Sequence, residues 1–134
     1  MWNNLHFKHY HKFQLNKFAK RNKVLNNGVF GLQILESGFI SPNEFQAIYF
    51  FLRKTLKKSG KVWFNFSPNY TQTSKPIETR MGKGKGNIKG LYSVVHAGSI
   101  ILEIKLNSDE YSRTILNSVR KKISLKTRIV KKNI

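Results

Sequence analysis

The stretch LYSVVHAGSIILEIKL, Leu91 to Leu106, decides how this chain is read. Its two apolar runs, Leu91 to His96 and Ser99 to Leu106, flank Ala97-Gly98. Such runs around a short glycine-containing break read as two strands joined in a hairpin. His96 is a lone histidine in a strand and reads as structural. Downstream, Asn107-Ser108-Asp109-Glu110 opens a helix with Asn107 as its cap, and the helix dipole accounts for the two acids. Tyr111, Ile115 and Val119 form the face expected to point inward, and Leu125 to Val130 reads as a last short strand.

Upstream, Lys61 to Phe66 (KVWFNF) alternates as a strand. Before it, Ser41-Pro42-Asn43-Glu44 starts a helix. Ser41 is the cap, Pro42 fits the first helical position, and Glu44 completes a capping box. That helix is expected to run to about Lys58 and stop at Gly60, burying Phe45, Ile48, Tyr49, Leu52 and Leu56. Arg53, Lys54, Lys57 and Lys58 crowd its C-terminal end, where the dipole favours cations. Phe50 and Phe51 broaden its apolar surface. Val29 to Leu35 follows the turn signal Asn26-Asn27-Gly28 and reads as a strand; Ser67 to Pro76 reads as a polar loop. The order is strand, helix, strand, then hairpin and helix. It describes one α+β domain over 28–134 with a basic C-terminal tail, preceded by a basic arm over 1–27.

The charge is as informative as the pattern. Twenty-five Lys and Arg face six Asp and Glu, for a formal net charge of +19. Such an excess repels itself in a compact state and is best tolerated beside a polyanion. Nucleic acid is the leading partner, and an anionic membrane surface the runner-up. No apolar run reaches the ~18 residues needed to cross a bilayer. The arm carries Lys8, Lys12, Lys17, Lys20, Arg21 and Lys23 with no acid, interleaved with Phe7, Tyr10, Phe13 and Phe18. It reads first as a segment that orders on RNA, lysines on phosphates and rings on bases, and second as an organelle targeting segment, although it favours Lys, Asn and His over the usual Arg and Ser. After Glu110 the chain has eight Lys and Arg and no acid, among them Lys126 and Arg128. Abundant Lys, Asn, Ile and Phe, whose codons are A/T-rich, suggest an A/T-rich genome such as organelles often have.

One segment points to where a polyanion would bind. In Arg80-Met81-Gly82-Lys83-Gly84-Lys85-Gly86-Asn87, glycines alternate with lysines behind an arginine. Each glycine would cost roughly 0.5–1 kcal/mol relative to alanine inside a regular element, so the pattern reads as a loop. Gly82, Gly84 and Gly86 let backbone N–H groups approach phosphate oxygens. Lys83 and Lys85 supply compact charge, and Arg80 can fork onto a phosphate or stack on a base. Met81 has no purpose in a purely solvated loop. A nucleotide-binding P-loop is excluded because Gly86, not Ser or Thr, follows Lys85; no dinucleotide G-x-G-x-x-G spacing occurs.

Other chemistry finds little support. The chain has no cysteine, which removes disulfides, thiolate nucleophiles and cysteine-bound zinc. His6, His9 and His11 lack nearby carboxylates, and no serine, histidine and carboxylate set has a recognisable spacing. The chain is therefore read as a non-enzyme with no cofactor, no metal and no small-molecule substrate.

Lys75-Pro76-Ile77-Glu78-Thr79 leads directly into the arginine and glycine-lysine run. That whole string resembles the signature of the bacterial-type ribosomal large-subunit protein sixteen family. Gly60-Lys61-Val62-Trp63, Gly98 to Glu103, Phe30-Gly31-Leu32 and Leu125-Lys126-Thr127 match the same pattern, so the resemblance spans roughly residues 28–130. It implies a hammerhead-like α+β fold, two helices packed on antiparallel strands, with basic extended N- and C-terminal segments. It also implies a structural role: binding large-subunit rRNA near the peptidyl-transferase centre and helping organise the aminoacyl-tRNA site, beside neighbouring ribosomal proteins. The loop residues Lys75 and Arg80 to Gly86 would face that RNA and tRNA. The chain departs from the family where arginines are usual, carrying Phe39, Asn43, Tyr49, Phe50 and Asn65 instead. Phe50 could meet another protein there. With the codon bias, this looks like a mitochondrial member, in the large ribosomal subunit of the matrix. The competing reading is a free-standing basic module that binds RNA or an anionic membrane outside the ribosome.

Overall fold

The computed structural model describes residues 18–82 and 84–133. The arm positions Lys8, Lys12 and Lys17, the histidines His6, His9 and His11, and the loop residue Lys83 lie outside the described residues.

Among the described residues, seven strands and two helices follow in the order β1 (Phe30–Ile34), β2 (Gly38–Ile40), α1 (Pro42–Leu56), β3 (Gly60–Phe64), β4 (Tyr70–Ser74), β5 (Asn87–Val95), β6 (Ile100–Leu106), α2 (Asp109–Arg120) and β7 (Thr127–Lys131). The strands make two antiparallel sheets, ordered β3-β6-β1-β7 and β2-β5-β4. This is the α+β architecture that the sequence pattern predicts.

The hairpin expected over Leu91–Leu106 is a correction. Both strands exist, but they belong to different sheets. β6 sits between β1 and β3, so both its edges are taken; β5 is likewise occupied by β2 and β4. Between them the chain turns at Gly98, whose φ is +89°. The Gly98 amide donates to the Ile34 carbonyl at 2.7 Å, and Ile34 N–H donates to the Ser99 carbonyl at 2.9 Å. The break therefore carries the chain from one sheet to the other.

Other differences are smaller. Residues 67–76, read as loop, contain β4, whose polar residues Thr71, Gln72 and Thr73 hydrogen-bond along β5. Helix α1 has the predicted capping box. Ser41 Oγ accepts from Glu44 N–H at 3.2 Å, and the Glu44 carboxylate accepts from Ser41 N–H at 2.8 Å. It ends at Leu56, with Lys57 at φ +44° as its C-cap, slightly before the predicted stop. Ile48, Leu52 and Leu56 are buried, whereas Phe45 and Tyr49 are half-buried in a ring cluster with Phe64. Ser108, not Asn107, caps α2. Tyr111 is exposed rather than inward; Ser112 and Leu116 join Ile115 and Val119 on the buried face.

The core lies between the helices and the four-stranded sheet, with Phe30, Leu32, Leu102 and Ile104 meeting Ile48, Leu52, Ile115 and Leu116. Fully burying one such side chain is worth ~1.5–3 kcal/mol. Strand alternation turns Glu103, between Leu102 and Ile104, to the opposite face. Residues 18–28 cover that face. Ala19 N–H donates to the Ala97 carbonyl at 2.9 Å, Ile100 N–H donates to the Asn22 carbonyl at 2.7 Å, and Ala19 and Leu25 are buried.

Candidate nucleic-acid interface

The glycine-lysine segment is the tip of the β4–β5 hairpin, spanning 75–86. Its base is held by its own chain. Lys75 Nζ donates to the Gly82 carbonyl, and Thr79 N–H donates to the Pro76 carbonyl at 3.1 Å. Glu78, Thr79, Arg80, Met81, Gly82, Gly84 and Lys85 are exposed.

The glycines divide into two kinds. Gly82 and Gly84 have φ of +100° and +76°, and a Cβ on either would meet nothing within 4 Å. They are required by backbone conformation, in open space, with their surroundings left clear for a partner. Gly86 is different. A Cβ there would lie 2.5 Å from the Ser74 carbonyl oxygen, so its lack of a side chain lets β4 and β5 close at the loop base.

The other predicted contacts are spread over the molecule. Lys20, Arg21 and Lys23 are exposed on the segment that docks where the two sheets meet. There Phe18, Lys20, Arg21, Asn65, Asn69 and His96 help line a groove of 710 Å³. Lys126 and Arg128 flank and occupy β7, an edge strand of the four-stranded sheet. They engage their own chain: Lys126 pairs with Glu36 at 3.9 Å, and Arg128 Nε donates to Gln33 Oε1 at 2.8 Å. Even complete pairing of the acids would leave the net +19 uncompensated.

Sequence reasoning missed the most heavily bonded acid. Glu103 is fully buried. Its Oε2 accepts from the successive amides of Asn26, Asn27 and Gly28 at 3.2, 2.8 and 2.7 Å, and its Oε1 accepts from Asn65 Nδ2 at 2.7 Å. Burial pushes its carboxyl upward in pKa, but the bonds from Gly28, Asn65, Asn27 and Asn26 outweigh that and hold it below 4.5. Glu44 behaves alike: burial raises it, and bonds from Ser41 and Ser124 bring it below 4.5. The available signal was a single acid between Leu102 and Ile104 in a largely apolar strand, which can be buried only if fully bonded.

Three of the arginine-poor positions, Asn65, Phe39 and Tyr49, have roles inside the fold. Asn65 holds Glu103. Phe39 packs against the rings of Tyr70 and Tyr92, with centroids at 5.6 and 6.5 Å, and Tyr49 packs against Phe45 and Phe64. Phe50 remains 55% exposed beside Tyr49. Among the described residues, no His, Asp and Glu group could hold a metal ion, and no helix is long and apolar enough to cross a membrane.

Comparison with known proteins bears out the family resemblance. Residues 4–130 match the family described as ribosomal protein L16p/L10e. The chain is 37% identical over 126 residues to the large ribosomal subunit protein uL16 of Ureaplasma urealyticum, covering 94% of this chain and 91% of that one. It is 35% identical over 123 residues to uL16 of Thermosipho melanesiensis, covering 92% and 87%. With uL16 of Malacoplasma penetrans it shares 36% identity over 122 residues, covering 91% and 87%. The matched family is one of ribosomal proteins, not enzymes. The chain belongs to the ribosomal protein L16p/L10e family.

Proposed function

We propose that this chain is a structural constituent of the large ribosomal subunit. It binds large-subunit rRNA near the peptidyl-transferase centre and helps organise the site for aminoacyl-tRNA, in contact with neighbouring ribosomal proteins. The observation that carries this reading is the hairpin tip: Gly82 and Gly84 lie in open space between exposed cations. Their amides can approach a phosphate with no side chain in the way, and Arg80, Lys83 and Lys85 supply the charge. Membership of a ribosomal protein family supports rRNA as that polyanion.

The compartment is part of the same proposal. The curated relatives named above are bacterial. The excess of residues with A/T-rich codons and the aromatic or amide residues at Phe39, Asn43, Tyr49, Phe50 and Asn65 favour a mitochondrial large subunit. Lys8, Lys12, Lys17, Lys20, Arg21 and Lys23 in the arm, and Lys126 and Arg128 near the end, add further phosphate contacts.

Density-gradient fractionation of organelle lysate tests the reading. The chain is expected to co-migrate with the large subunit and to leave it as salt rises. Each neutralised phosphate should contribute about 0.7–0.9 to the slope of log affinity against log salt. A peak confined to light or membrane fractions refutes the ribosomal assignment.

A further inference from the structure

The hairpin tip carries two side chains that phosphate binding does not need. Ile77 and Met81 are both fully exposed. Among the described residues, the other large exposed hydrophobics retain partial cover, from Phe18 at 82% to Tyr111 at 44%. Two completely uncovered apolar side chains four residues apart on one short loop mark an interaction surface. The tip is shaped without a partner. The Thr79–Pro76 turn and the Lys75–Gly82 contact enclose the segment that carries Ile77, Arg80 and Met81.

The surroundings decide what covers them. Arg80, Lys85 and Lys89 are exposed on the same loop and the start of β5, against one exposed acid, Glu78. A wholly apolar protein pocket would have to desolvate that ring of cations at high cost. RNA satisfies both chemistries, because phosphates meet the cations while unstacked bases offer apolar faces. Met81 is unbranched and polarisable, and Ile77 is stiff and compact; both suit the face of a base or a wedge between two.

We infer that Ile77 and Met81 form an apolar wedge that packs against unstacked RNA bases, while Arg80 and the loop lysines hold the flanking phosphates. The inference rests on the rRNA reading and makes the loop a reader of exposed bases, not only of backbone charge.

The full chain is titrated against deproteinised large-subunit rRNA and against inorganic polyphosphate, which has charge but no bases. Each titration is repeated across a salt series. The double variant Ile77→Ser, Met81→Ser should bind rRNA about tenfold more weakly with an unchanged salt slope. Its affinity for polyphosphate and its thermal unfolding should match the unsubstituted chain. Arg80→Ala should instead weaken binding to both polyanions and flatten the slope by about 0.7–0.9. Equal rRNA affinity for the double variant and the unsubstituted chain overturns the wedge. So does an equal loss on rRNA and polyphosphate. Loss of subunit incorporation with rRNA affinity intact overturns it in favour of a protein partner. Salt-independent binding by the unsubstituted chain would instead refute the underlying rRNA reading.

Discussion

Two regions of this molecule use backbone amides in opposite ways. Around Glu103 the amides of Asn26, Asn27 and Gly28 converge on an anion supplied by the chain itself. In the hairpin tip, Gly82 and Gly84 hold positive φ where a side chain would meet nothing within 4 Å. The first arrangement is complete, and it pins residues 18–28 to the four-stranded sheet. The second sets its glycines among exposed cations, with Glu78 the one acid of the segment. A chain with six acids has few carboxylates to spend inside the fold, and it buries one where the arm must dock. The remaining positive charge is left for an external polyanion.

The comparison breaks first at Glu103. Replacing it by alanine leaves three amides and the Asn65 side chain without their buried acceptor. The expected loss is about 3–5 kcal/mol of stability, read by denaturant unfolding. The salt slope for rRNA, measured where the variant is still folded, should stay as it was. A loss under about 1 kcal/mol would mean that the enclosed carboxylate does not hold the arm.

Acidification probes the same contact more gently. The folded Glu103 carboxyl lies below 4.5, so its contribution is fully present above the unfolded value and disappears as pH falls through the folded one. Glu44 shifts in the same direction and adds to the acid sensitivity. The difference in Tm between the natural chain and Glu103→Gln should therefore be largest at neutral pH and shrink below about pH 4.5. A difference independent of pH would assign the effect to packing rather than charge.

The two kinds of glycine sharpen the contrast further. Gly86→Val drives a side chain into the Ser74 backbone, and should cost about 2 kcal/mol while loosening the hairpin base. Gly84→Val meets no neighbour. Its φ of +76° strains only the exposed tip, so the isolated fold should remain nearly as stable, within about 1 kcal/mol. Assembly into subunits, or tRNA handling by them, should nonetheless suffer. Normal assembly and translation with Gly84→Val would show that close approach at Gly84 is not used.

Much of this was legible in the residues. The capping box at Ser41 and Glu44 marks α1 because both partners are local, three positions apart. The apolar runs of β1 and β6 mark themselves by composition. β4 hides because Tyr70 to Ser74 is polar between two prolines, and only pairing with β5 makes it a strand. The separation of β5 from β6 is also a pairing fact: Ala97-Gly98 is short enough for a hairpin, and only the competition of β1 and β3 for the edges of β6 decides otherwise. At the site, the loop shows in its glycines and lysines. The role of Glu103 does not, since its donors lie from 38 to 77 positions away in sequence.

Hydrogen exchange on the full chain, free and bound to large-subunit rRNA, tests the contrast most directly. The amides of Asn26, Asn27 and Gly28 should exchange slowly in both states. Those of Gly82 and Gly84 should exchange rapidly in the free protein and become protected on RNA. Loop amides that exchange at the same rate with and without bound rRNA would contradict the account.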